Sequence, residues 1–259
     1  MITVVCLNFN GNDSLRESIQ SVLDQTQKPD RFVVIDNAST DGSRQIAVDM
    51  GVEVVDADNR HKFITGLNKA IELNQDLLFF IQNDVTLEPN CLKVMLNSSP
   101  SKNFIAQPLI YQMDGKIDNA GMDIWWPGFA FRRRKVYWGY KSYYCGLVTT
   151  ICFLTDNKTF FYDKDFSPAY MEDVDFYLRT NGIFDHIIIP NATAIHKGNH
   201  TFSETYKKLE ISRICRKNRT KLLKKHYSFA MLAVASCLHI VKEAIDVITN
   251  RWVTPNNRH

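Results

Sequence analysis

Two clusters of carboxylates in this sequence could carry chemistry. In the first, the apolar run Leu77-Leu78-Phe79-Phe80-Ile81 stops at Gln82-Asn83-Asp84, and Val85-Thr86-Leu87 then leads away to Pro89. A carboxylate directly at the end of a buried strand is explained less well by turn-making than a loop acid is, and is read as functional. In the second, Met171-Glu172-Asp173-Val174-Asp175 places three carboxylates in five residues. A hydroxyl nucleophile has a pKa far above neutral, so its attack on an electrophilic carbon needs a carboxylate within hydrogen-bond reach to take the proton. His196, in Ala194-Ile195-His196-Lys197-Gly198, adds an imidazole at the end of a further strand-like run.

Elements earlier and later in the chain must hold these groups. Apolar, β-branched runs at 2–7, 31–37, 52–57 and 76–83 alternate with helical patterns at 13–25, 41–50 and 66–74. Strand, helix, strand, helix predicts an α/β fold with a Rossmann-like, mostly parallel sheet flanked by helices. Ligands of such sheets bind outside the carboxyl ends of the strands. There stand Asn8 and Asn10, Asp36 and Asn37, Asp58 and Asn59, and Asn83 and Asp84, so four strands end in acid or amide groups on one rim. Turn and capping duty accounts for Asn12, Asp13 and Asp41. Asp13 or Ser14 is expected to cap the first helix, and Ser39, Thr40 or Asp41 the second. Asp36 and Asp84 follow hydrophobic strands directly and are read as functional.

The chain of 259 residues is 45% apolar and 23% charged, with a net charge of +3, which excludes a disordered or fibrous class. Its six cysteines form no C-x-x-C pair, so neither a zinc knuckle nor a redox dithiol is indicated. Reduced thiols in a cytoplasmic protein are expected, with no secretory leader and no nucleic-acid partner. An NAD-dependent oxidoreductase would need G-x-G-x-x-G after a strand, and none is present. A nucleotidyltransferase would need a glycine-rich, cationic loop after the first strand, where LNFNGND holds one glycine.

The second half reads differently. Across 125–145 aromatics and cations interleave without a period, which predicts a loop or irregular hairpin. Its aromatic faces suit the apolar side of sugars and its arginines suit phosphate; a solvated hairpin with packed aromatics is the other reading. Pro168 can open a helix that Gly182 closes, with Glu172, Asp173 and Asp175 in its early turns, where the helix dipole favours anions. Asp175 is a partner for Arg179 at i,i+4. Residues 185–196 predict two short strands about a turn at Pro190-Asn191. From 206 onward Lys207, Lys208, Arg213, Arg216, Lys217, Arg219, Lys221, Lys224 and Lys225 face only Glu210. So basic a run can bind anionic lipid, at about 1 kcal/mol per residue. It leads into 228–241, whose apolar stretch of about 14 residues falls short of the roughly 20 that span a bilayer. The tail therefore predicts either peripheral contact at a cytosolic membrane face or a helix packed on the domain.

In order, the stretches VVCLNFNGNDSLRESIQSVLDQT, FVVIDNASTDGS, QNDVTLEP, YMEDVDFYLR and AIHKGNHTFS resemble family 2 glycosyltransferases of the GT-A fold, over residues 2–203. Their flavour is that of the rhamnosyltransferase-like branch that builds surface polysaccharides, in which the metal motif often reads N-x-D. The resemblance implies a GT-A domain at 1–205, with a nucleotide-sugar-binding half at 1–100 and an acceptor-binding half at 101–205, followed by a basic helical tail at 206–259. It places the family's D-x-D motif on Gln82, Asn83 and Asp84, with Gln82 where the family has its first aspartate. Asp84 and His196 would then bind Mn²⁺ or Mg²⁺. Asp173 would be the base, with Glu172 beside it. Asp36 would accept the pyrimidine N3–H, with Asn8 and Asn10 beside the base, an edge that UDP and dTDP share. Phe63, Gly66 and Asn68 match the nucleotide-sugar loop, in which Lys62 stands where the family often has glycine. One base and no second nucleophile imply inversion, from a UDP- or dTDP-sugar to a hydroxyl of a glycan or lipid-linked glycan. The alternative is a catalytically silent nucleotide-sugar or glycan-binding module of the same fold, for which the loss of acid at Gln82 speaks.

Overall fold

The computed structural model describes residues 1–57, 63–74, 76–125, 129–133, 136–198 and 207–227. Its centre is β1 (Ile2–Asn8), every residue of which is buried. β2 (Arg31–Asp36), β3 (Glu53–Asp56) and β4 (Leu77–Gln82) extend it in parallel, β2 and β4 on its two sides and β3 beyond β2. Parallel strands covered on both faces read as unbroken apolar runs, and their alternate residues feed two cores. Val4, Cys6, Val34, Phe79 and Ile81 pack with residues of α1 (Asn12–Leu23), α2 (Ser43–Asp49) and α4 (Cys91–Ser98). Val5, Leu7, Ile35, Leu78 and Phe80 pack with Ile64, Leu67 and Ile71 of α3 (Phe63–Glu72). A one-residue slip would exchange the two sets, so burial on both faces fixes the register.

α1 is capped from a loop distant in sequence, and α2 by Asp41 as expected. α1 begins at Asn12, and neither Asp13 nor Ser14 caps it. Asp41 does so from the next loop, accepting from the Asn12 N–H at 2.9 Å with one oxygen and from the Ser43 N–H at 2.9 Å with the other. One carboxylate thus meets the positive ends of α1 and α2.

Beyond β4 parallel and antiparallel pairings mix. β5 (Val85–Leu87), β6 (Phe104–Gln112), β7 (Ile117–Asn119), β10 (Tyr143–Tyr144), β11 (Cys152–Thr155) and β12 (Asp185–His196) complete a ten-stranded sheet with the main path β10-β12-β6-β11-β4-β1-β2-β3. β11 runs antiparallel to both β4 and β6, so the sheet as a whole is mixed. The helix–strand alternation that imposes parallel crossovers ends at α4, and reversing turns can then join antiparallel neighbours. β8 (Met122–Trp125) and β9 (Phe129–Arg132) pair apart from this sheet in regular antiparallel register, beginning before the 125–145 stretch for which a loop or irregular hairpin is expected. The two strands expected at 185–196 are one: β12 follows β6 throughout, with a register shift between Ile189 and Thr193. That bulge accommodates Pro190, which has no N–H for a ladder. The helix expected from Pro168 begins instead at Glu172, as α5 (Glu172–Thr180). Tyr170 and Met171 have φ of 74° and 71°, which no right-handed helix accepts.

The basic tail forms α6 (Lys208–His226) and packs on the domain. Leu222 is buried against the second core, and Lys225 pairs with Asp163 at 2.6 Å and with Asp175 at 2.8 Å. Arg213, Arg216, Lys217 and Lys224 are exposed. The stretch 228–241 lies outside the described residues, as do Asp58, Asn59, Arg60 and Lys62. Among the described residues no helix is long and apolar enough to cross a membrane.

Gly66 lies where α3 presses on β1, and a Cβ there would sit 2.3 Å from Leu7 Cδ1. Such overpacking forces a neighbour off its rotamer, typically at about 1–3 kcal/mol. Gly66→Ala is expected to lower the unfolding free energy by about that much in urea titration. An unchanged midpoint would show that α3 can ride away from the sheet.

Candidate active site

The rim is organised around Asn8, which has no exposed surface. Its Nδ2 donates to Asp36 Oδ1 at 2.8 Å, Ser43 Oγ at 2.9 Å and Ser39 Oγ at 3.0 Å, while its Oδ1 accepts from Asn83 Nδ2 at 2.9 Å. Asp36 also accepts from the hydroxyl and the N–H of Ser39, at 2.7 and 3.0 Å. Asn10 joins the same loop, its Oδ1 accepting from the Thr40 N–H at 2.8 Å. Asn37 is buried and its N–H donates to the Asn8 carbonyl at 2.8 Å. Four of the residues expected to touch donor, Asn8, Asp36, Asn37 and Asn83, are thus buried and form the floor under the rim. Asn68 also acts internally: its side chain clasps both the carbonyl and the N–H of Tyr162, each at 2.8 Å. With Gly66 against Leu7, the described part of that loop docks α3 rather than facing outward.

Sheet pairing brings the expected metal ligands together. β5 runs antiparallel to β12 with Val85 opposite His196, which sets Asp84 beside the imidazole. His196 Nε2 lies 3.3 Å from Asp84 Oδ2, a charge contact without hydrogen-bond alignment, and Nδ1 lies 3.0 Å from Asp118 Oδ2. Burial pulls the imidazole pKa down, but Asp118 and Asp84 outweigh it and raise it from 6.5 to about 9. Asp84 Oδ1 is buried without a hydrogen-bond partner. One carboxylate with an unsatisfied oxygen, one imidazole nitrogen and a carboxylate behind the ring form a donor set that fits a divalent cation, since ligating histidines commonly give their other N–H to a carboxylate. Among the described residues no group of three His, Cys, Asp or Glu side chains could hold a metal alone, so the rest of its shell would come from elsewhere. A cleft of about 420 Å³ is lined by His196 and Asp118 with Gln112, Asp114 and Lys197.

Asp118, on the short strand β7, is a site residue that sequence reasoning missed, and so is Thr150. The Thr150 carbonyl accepts from Gln82 Nε2 at 3.1 Å, and its hydroxyl lies 3.4 Å from Glu172 Oε1. Through this one residue the end of β4 meets the start of α5. Glu172 is buried, its Oε2 has no hydrogen-bond partner, and its pKa is pushed up to about 8 by burial and then by Asp173. Asp173 is half-buried and accepts from the Val174 N–H at 2.8 Å. The two positive-φ residues before them, neither of them glycine, store strain of the order of 1–3 kcal/mol each, as is common beside functional groups. Asp175 has no exposed surface and is ringed by Arg179, Lys225 and His226, each at 2.8 Å, so it is structural as expected.

Residues 3–155 match the sequence pattern described as Glycosyl transferase family 2, which is more than half of the chain. The chain belongs to glycosyl transferase family 2. A stretch of 80 residues is 29% identical to TuaG of Bacillus subtilis (strain 168), whose name places it in teichuronic acid biosynthesis as a glycosyltransferase; the stretch covers 29% of this chain and 32% of TuaG. This family 2 chain also shares its fold with the crystal structure of S. aureus TarS 1–349, at a TM-score of 0.57 and 11% identity over 86% of this chain and 72% of that one. The same protein in complex with UDP-GlcNAc gives 0.57 at 13% identity, over 86% and 66%. At these identities the likeness shows the GT-A fold alone.

The pKa of Glu172 has a testable consequence for stability. The carboxyl holds its proton more tightly folded, to about 8, than at its ordinary 4.5. Its contribution is therefore fully present below about 4.5 and is lost as pH rises towards about 8. Glu172→Gln cannot ionise and is expected to gain stability relative to the native chain across that window. Parallel stability profiles of the two proteins would show that the carboxyl is solvated.

Proposed function

We propose that this chain transfers a sugar, with inversion, from a UDP- or dTDP-linked donor to a hydroxyl of a glycan or lipid-linked glycan acceptor, with Asp173 as the base. The observation that carries this is the Gln82–Thr150–Glu172 bridge, which joins the strand end beside Asp84 to the acid motif. Donor and acceptor chemistry can then share one rim, as a single displacement requires. Family membership supports sugar transfer, and the UDP-GlcNAc complex of TarS supports a nucleotide-sugar donor. The rhamnosyl reading rests on the sequence resemblance alone.

The residues divide the work by burial. The Asn8–Asp36–Ser39–Ser43 network holds the loop after β2 in one shape, so the nucleotide meets a preformed surface whose ordering cost is already met by the fold. Glu172, carrying its proton, can donate a hydrogen bond towards the acceptor, while Asp173 is the more exposed of the pair and takes the hydroxyl proton as the new bond forms. Asp84 and His196 would hold Mn²⁺ or Mg²⁺, and Asp118 orients the imidazole. The cation, when bound, neutralises charge on the departing nucleoside diphosphate. The exposed Arg213, Arg216, Lys217 and Lys224 of α6 offer a cationic face to an anionic lipid surface.

The direct test is nucleoside diphosphate release with and without acceptor glycans. Asp173→Asn is expected to lower kcat by roughly 10²–10⁴-fold while leaving donor binding unchanged. Near-normal turnover would remove Asp173 from the role of base. Activity is also expected to vanish in excess chelator and return with Mn²⁺. Asp118→Asn should raise the Mn²⁺ concentration needed for half-maximal activity by about 10–100-fold, as loss of an outer carboxylate does. Full activity in chelator would contradict the metal assignment.

A further inference from the structure

The loop that presents the acid motif is held from outside by the tail helix. Tyr170 and Met171 lie in the left-handed region, and the residues between Phe166 and Glu172 form no helix of their own. Into this loop α6 inserts Asn218, which is only 1% exposed. Its Nδ2 lies 2.6 Å from the Phe166 carbonyl oxygen, 2.9 Å from that of Ala169 and 3.1 Å from that of Tyr170. An amide NH₂ has two hydrogens, so three converging carbonyls share them. The point of convergence fixes the chain just ahead of Glu172 and Asp173. We propose that Asn218 is a positioning residue for the transfer, acting through the 166–171 loop to hold Asp173 at the acceptor hydroxyl. The proposal rests on the reading of Asp173 as base.

The residue type suits the task. Three carbonyls turned towards one point need a donor, and an amide supplies it without adding charge near the two acids. Lys225 lies on Asp163 and Asp175, and the ring of His226 lies on Asp175, farther along α5. Leu222, one turn beyond Asn218 on the same helix face, is buried with Phe166, Tyr162 and Phe176 and seats the helix. Lys221 donates to the Asp165 carbonyl and closes the loop's other end.

The test uses the full chain with four measurements: thermal unfolding, amide hydrogen exchange, donor KM and kcat. Asn218→Ala is expected to speed exchange at 169–174, to lower kcat on the order of 10²-fold, as small misplacements of reacting groups do, and to leave donor KM unchanged. Met95→Ala, in the core on the other face of the sheet, loosens the fold without touching the loop and is expected to keep its kcat. In the Asp173→Asn background the Asn218 substitution should cost little more, because both act on one group. Unchanged exchange at 169–174 in Asn218→Ala overturns the holding role. An equal kcat loss in Met95→Ala, or additive losses in the double variant, overturns action through Asp173. Normal turnover of Asp173→Asn alone overturns the base itself, and the exchange result separates that failure from failure of the loop contact.

Discussion

The buried amide of Asn8 is the constraint on which the rim depends. β1 lies between its two parallel neighbours, and Asn8 is the residue at which it stops. From there one side chain reaches β2 through Asp36, the start of α2 through Ser43 and the end of β4 through Asn83. A hydrogen bond to a charged group contributes roughly 1.5–3 kcal/mol, and a buried carboxylate left without its donors costs at least as much. The network therefore stabilises as a unit and fails as a unit. It also explains why polar residues crowd these strand ends: parallel strands expose their last N–H and C=O groups at one edge, and burying that edge demands polar partners.

Legibility in the sequence followed the range of the interactions. The four parallel strands were readable because a buried strand leaves an apolar run, and β-branched density marks it whatever its partners are. The residues at 8, 36, 83, 84, 172, 173 and 196 were readable as polar types at strand ends and at a helix start. What some of them touch was not. Asn8 and Asp36 read as contacts to a nucleotide, whereas the fold turns both inward on each other. Asn68 read likewise, and it clasps the backbone of Tyr162, 94 residues away. Asp118 and Thr150 left no signal, since neither stands at a strand end of the parallel half and each acts through a contact made only when β6, β7, β11 and β12 assemble. The bulge in β12 was hidden for the same reason: Pro190 and Asn191 have turn-forming types, and only the pairing to β6 keeps the chain extended past them.

Two acids on α5 show how environment rather than type sets a role. Glu172 and Asp175 are both buried and lie one turn apart. Asp175 has Arg179 and Lys225 and the ring nitrogen of His226 at 2.8 Å, the last two from α6. Glu172 has a weakly placed threonine hydroxyl and the like charge of Asp173. Desolvation disfavours a buried carboxylate's charged form, and only nearby positive charge or donors can reverse that. Asp175 can thus act as an anchor that ties α6 to α5, while Glu172 keeps its proton to higher pH than an ordinary carboxyl.

Gln82 follows from the same logic. The family resemblance puts an aspartate at this position, and its absence reads as a loss of negative charge beside the cation site. The structure gives the amide a positive task, because Nε2 donates to the Thr150 carbonyl, whose own residue then faces Glu172. An ionised carboxylate at the same point has no hydrogen to give and would repel that carbonyl, and Thr150 would lose its side-chain tie to the end of β4. A glutamine here therefore exchanges one anionic group for a fixed distance between the strand end and the acid motif. The remaining carboxylate, Asp84, must share its charge with His196, and a cation held by that pair would depend on oxygen ligands from the donor to complete its shell. Metal and donor binding are in that case one coupled event: each raises the affinity for the other, and by reciprocity the same factor applies in both directions.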